Sequence, residues 1–66
     1  MRLEIEIYNG LGRKIRRLAD EIVSPGMKIY RWDGRNDSGA EVASGMYFYR
    51  CRLGGTEESR KMLLLK

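Results

Sequence analysis

The residues that could do chemistry in this chain are a single cysteine, a few closely spaced carboxylates and a scatter of arginines, with no histidine. Without an imidazole, the usual triads and neutral-pH general bases cannot be assembled. Cys51 has no second thiol for an intrachain disulfide, and one thiol without histidine cannot make a structural zinc site. It sits inside an apolar, alternating run with no base nearby in sequence, which reads as a small buried hydrophobe. Glu4 and Glu6 share one strand face, the spacing of a carboxylate pair, although solvated strand-face charges are the commoner cause of that pattern. Asp33, Asn36 and Asp37 offer hard oxygens, but Arg35 occupies the third position, where a calcium loop of the EF-hand kind needs a ligand. Side-chain hydrogen bonding within a turn accounts for these residues. Gly10-Leu11-Gly12-Arg13-Lys14 lacks the third glycine of a dinucleotide fingerprint, because Ile15 stands there, and it lacks the Gly-Lys-Ser/Thr of a P-loop. It reads as a hairpin turn. The expectation is a protein that is not an enzyme and uses no cofactor or metal.

The cations suggest a different class. Arg13, Lys14, Arg16, Arg17, Arg31, Arg50 and Arg52, with Tyr47 and Phe48 among them, could form a basic, stacking face for single-stranded nucleic acid. Against this, nine acidic residues are interspersed with thirteen basic ones, the net charge is only +4, and no RNP motif occurs. A mixed-charge, solvated surface is the favoured reading, with a small basic nucleic-acid module kept as an alternative. No run of ~18 apolar residues is present to span a bilayer, and the start does not read as a signal peptide. That pattern fits a cytoplasmic protein or a piece of a larger precursor whose targeting sequence lies elsewhere.

The elements that must position these residues are strands. Leu3, Ile5 and Ile7 alternate with Glu4 and Glu6, the period of a half-buried strand, and Asn9-Gly10-Leu11-Gly12 reverses the chain. From Arg13 to Val23 the pattern is ambiguous. Leu11, Ile15, Leu18, Ala19 and Ile22 have helical spacing, while a short strand from Arg13 to Leu18 competes. Ser24-Pro25-Gly26 ends either one. Met27 to Trp32 reads as a strand, with Trp32 as the core anchor. Asp33-Gly34-Arg35-Asn36-Asp37-Ser38-Gly39 is a dense turn signal, followed by a short extended piece at Glu41 to Ala43. Met46 to Leu53 is an aromatic strand, Gly54-Gly55-Thr56-Glu57 a hairpin turn, and Glu58 to Leu65 the return. Five or six short strands with closely spaced turns predict an antiparallel β-sandwich or barrel. At 66 residues this is one domain. Folding alone, it buries only about 60% of its unfolded surface, so a partner or further sequence is the expected supplement.

Three blocks carry a resemblance: Leu3 to Leu18, then Trp32-Asp33-Gly34 through Gly39 to Gly45-Met46-Tyr47, and the closing Lys61-Met62-Leu63-Leu64-Leu65-Lys66. In that order they resemble the immunoglobulin-like domain of flagellar hook-capping proteins (FlgD-type) and the related C-terminal sorting domains of type IX secretion. The resemblance covers essentially the whole chain. It implies an immunoglobulin-like sandwich, a strand after the Gly12-Arg13 turn, and Arg16 and Arg17 at a strand end or bulge. It also implies that residues 1–66 are a C-terminal module of a larger exported bacterial protein, secreted or at the cell surface. Family members begin earlier, so the sandwich is expected to be truncated at its N-terminus with a sheet edge left unpaired. A homodimer formed by edge pairing or strand exchange follows as an expectation. The implied role is sorting or attachment through secretion or anchoring machinery, with a structural spacer of the hook-capping type as the alternative. On this reading Gly45, Met46 and Tyr47, with Lys61, Met62, Leu63, Leu64, Leu65 and Lys66, are the recognition candidates. Trp32, Asp33, Gly34 and Gly39 are core and turn positions.

Overall fold

A computed structural model describes residues 1–65. The protein is all-β, and its strands are β1 (Arg2–Asn9), β2 (Lys14–Ile22), β3 (Gly45–Leu53) and β4 (Thr56–Leu64). They form one antiparallel sheet in the order β2-β1-β3-β4. Two hairpins lie side by side, joined by the long connection from Val23 to Ser44.

The β1–β2 turn is built on Asn9, whose Oδ1 accepts from the Leu11 and Arg13 backbone N–H groups at 2.9 and 3.0 Å. Gly12 takes a φ of 81° there, where a side chain would be strained. The ambiguous stretch after it is strand, and the reason for its helical spacing is visible in the register. Ile5 pairs with Ala19 but Glu6 pairs with Arg17, and Ile7 pairs with Arg16 but Tyr8 with Lys14. Leu18 and Ile15 are therefore extra residues, two bulges that each reset the side-chain alternation. Arg16 and Arg17 lie between them. A strand interrupted in this way shows neither a clean period of two nor a helix.

Met27 to Trp32 is a correction. This segment takes part in no ladder and instead runs as a strap, yet its alternation survives. Tyr30 and Trp32 are half-buried, while Met27 and Ile29 are 90% and 75% exposed. Glu41 to Ala43 contributes only an isolated bridge between Arg35 and Glu41. Four strands therefore stand where five or six were expected, and a second sheet to complete a sandwich is not among the described residues.

The sheet has two unlike faces. Leu3, Ile5 and Ile7 of β1 share one face with Ala19 of β2 and with Tyr47, Tyr49, Cys51 and Leu53 of β3. Leu3, Ile7, Ala19 and Tyr47 are the buried apolar residues, and Ile7, at 1% exposure, is the most enclosed of them. The opposite face carries Glu4, Glu6 and Tyr8 beside Arg50 and Arg52.

Candidate functional site

The charged face is organised around Glu6. Antiparallel pairing sets Glu6 opposite Arg50 on one side and Arg17 on the other. Its carboxylate takes Arg50 Nη2 at 3.0 Å and the Tyr8 hydroxyl at 3.2 Å, with Lys14 and Arg17 each at 3.5 Å. The Arg50 guanidinium lies 5.3 Å from the centre of the Tyr8 ring and donates to its oxygen at 2.6 Å. Glu6 is only 5% exposed, so it is not the solvated strand-face charge its spacing suggests. The Arg50 hydrogen bond holds its carboxyl at about 2, outweighing a burial that pushes the other way. Burial, with Glu6 second, pushes the Tyr8 hydroxyl up.

Strand pairing and the loop that follows Trp32 consume other cations. Arg52 reaches Glu57 at 3.1 Å, Arg2 reaches Asp20 at 2.9 Å, and Arg16 reaches Asp33 at 3.4 Å. The arginines that suggest a nucleic-acid surface are in large part bonded to carboxylates across strands.

The loop from Asp33 to Gly39 spends its oxygens on the protein. Asp33 Oδ1 accepts from the Arg35 N–H at 3.1 Å. Asn36 Oδ1 accepts from the Ser38 and Ala40 N–H groups, and Asp37 Oδ1 from the Arg17 N–H at 2.9 Å. Gly34 and Gly39 take φ values of 76° and 86°. No group of three or more acidic or thiol side chains converges to hold a metal ion among the described residues. Trp32 donates from Nε1 to the Arg35 carbonyl at 2.9 Å and meets Tyr47 edge-on, with ring centres 5.2 Å apart. The Tyr47 hydroxyl donates to the Ala43 carbonyl at 2.6 Å. Trp32 is therefore half-buried and anchors the strap to β3, rather than sitting inside a strand.

On the apolar face the strap leaves clefts. One of about 380 Å³ lies between Ile5, Ile7, Leu18, Trp32, Tyr49 and Met62. Another of about 420 Å³ lies between Leu3, Pro25, Tyr30 and Leu53. Cys51, half-buried, borders both.

The recognition candidates lie on the two strands of the β3–β4 hairpin, which sets them side by side. Gly45 pairs with Leu64, Met46 with Leu63, and Tyr47 with Met62. Gly45 has a φ of 153° at the start of β3, a backbone shape that favours glycine. Tyr47 and Met62 face the strap. Met46 and Leu63 face the other way, beside Phe48 and its cross-strand neighbour Lys61, and the three apolar residues of this group are exposed. The charged face therefore ends in an exposed apolar patch with a cation at its border. Leu65 is exposed beyond the strand, and Lys66 lies outside the described residues. Sequence reasoning missed the Glu6 cluster. Its signal was the opposition of Glu6 to Arg50, which needs the β1–β3 register to be seen.

Neither a protein-family model, nor a curated protein, nor a solved structure matches this chain.

Proposed function

We propose that this chain is a non-catalytic β-module of an exported bacterial protein, half of an immunoglobulin-like sandwich, that serves as a sorting or attachment element. The observation that carries the reading is the cross-strand placement of Met46 and Phe48 against Leu63 and Lys61. The open ends of the two strands of the β3–β4 hairpin form one exposed apolar patch bordered by a cation. A stable strand end offers such a patch to a receptor at low ordering cost, because its backbone is already fixed. The half-open apolar face supports the sandwich part of the reading, since clefts lined by Ile5, Ile7 and Leu3 are what a second layer packs into.

The test is export of a passenger fused ahead of the module in a secreting host. Met46→Glu and Leu63→Glu change exposed positions and leave the Tyr47 and Met62 side intact. Export is expected to fall with either variant while far-UV circular dichroism is unchanged. Wild-type export from folded variants defeats the sorting role and leaves a spacer.

A further inference from the structure

The two edges of the sheet are treated differently. On the β2 side, two bulges break the edge, and the turn loop docks on it, with the Asp37 N–H donating to the Ile15 carbonyl at 3.0 Å and Asp37 Oδ1 accepting from the Arg17 N–H. Bulges and loop cover are how sheets close an edge. β4 carries neither device. It pairs residue for residue with β3 from Thr56 to Leu64, and nothing among the described residues lies on its far side.

Its hydrogen-bonding direction follows from the hairpin. Leu53 and Thr56 flank a two-residue turn, Gly54-Gly55, and so exchange hydrogen bonds with each other. Alternation then aims the N–H and C=O groups of Glu57, Ser59, Lys61 and Leu63 outward. This stretch of β4 carries an ordered charge sequence: Glu57, Glu58, Ser59, Arg60, Lys61. It is two acids, a neutral centre and two bases. Read backwards, every charge changes sign.

We infer that β4 is a self-recognition edge that pairs antiparallel with β4 of a second copy about a two-fold axis through Ser59. In that register Ser59 faces Ser59, Glu57 faces Lys61 and Glu58 faces Arg60, so each acid opposes a base in both halves. The outward-aimed residues face one another, as an antiparallel ladder requires. Moving the axis one residue either way sets Glu58 against Glu58 or Arg60 against Arg60, which like-charge repulsion disfavours. Glu58 and Arg60 have side chains 65% and 66% exposed and pair with each other at 3.9 Å. Lys61 has no ion-pair partner among the described residues, while Glu57 already serves Arg50 and Arg52 at 3.3 and 3.1 Å. Because the axis is perpendicular to the sheet, both apolar faces come out on the same side. The sorting role uses the β3–β4 end and its face, and shares only Lys61 with the charged stretch of this edge.

The experiment is sedimentation of the full chain from micromolar to millimolar concentration, with two charge reversals. Glu58→Lys and Arg60→Glu each create two like-charge oppositions in a symmetric pair and leave the fold alone. Each is expected to weaken self-association by about tenfold, and an equimolar mixture of the two to restore it as a mixed pair. Ser59→Pro removes an outward N–H that β3 does not use and is expected to abolish association with unchanged circular dichroism. A chain that stays monomeric throughout overturns the proposal. So does association that the reversals leave unchanged, or single variants that the mixture fails to rescue, either of which assigns the edge to a different partner.

Discussion

Glu6 shows how a strand-face carboxylate becomes a structural element. Held at about 2 against an ordinary 4.5, it favours the folded state whenever it is ionised there. Because its folded value is depressed, that contribution is complete above about 4.5 and is lost as pH falls through about 2. Glu6→Gln, which keeps the shape and removes the charge, is expected to cost about 1–3 kcal/mol at neutral pH. Denaturant titrations of both proteins across the acid range check this. The gap between them should close between pH 4.5 and pH 2, and a constant gap refutes the charge-based account. This cluster was only half legible in the sequence. The alternation around Glu4 and Glu6 gave the face, but the burial of one carboxylate comes from Arg50, forty-four residues away.

The elements divide by whether their pattern is local. β1, β3 and the β3–β4 hairpin are plain from alternation and from Gly54-Gly55, since each needs only its own residues to be recognised. β2 hides because the bulges at Ile15 and Leu18 shift its phase, and a phase shift is invisible without the partner strand. The strap from Met27 to Trp32 reads as a strand because Tyr30 and Trp32 face the sheet alternately, a consequence of extended backbone rather than of pairing. The recognition candidates Met46 and Leu63 could be named from the sequence, but their adjacency depends on register. Asp37 belongs to this scale, because one side chain ties the loop to β2. Asp37→Ala is expected to destabilise by about 0.5–1.5 kcal/mol, the net worth of a hydrogen bond. Amide exchange at Arg17, whose N–H it accepts, should quicken more than that of residues in β1; unchanged protection there refutes the clamp.

At the scale of the whole molecule, the sheet and its strap are unequal partners. The sheet is tied by backbone ladders across four strands, interrupted only by the two bulges of β2. The strap leaves Met27 and Ile29 in solvent and is anchored through Trp32, Tyr30 and the loop bonds. Regions with few buried apolar contacts open at lower free energy than the core they cover. Trp32 is the only tryptophan, so its emission reports strap docking, while far-UV circular dichroism reports the sheet. The emission transition is expected at lower denaturant, and coincident transitions would mean the two unfold as one unit.

The difference between the two edges also sets how far assembly can proceed. With β2 bulged and clamped by Asp37, each copy has one attachment point for a new strand rather than two. In the terms of polymer chemistry its valence is one. Pairing at β4 ends in a closed couple and cannot propagate, so the side chain that docks a loop also acts as a chain terminator against fibre growth.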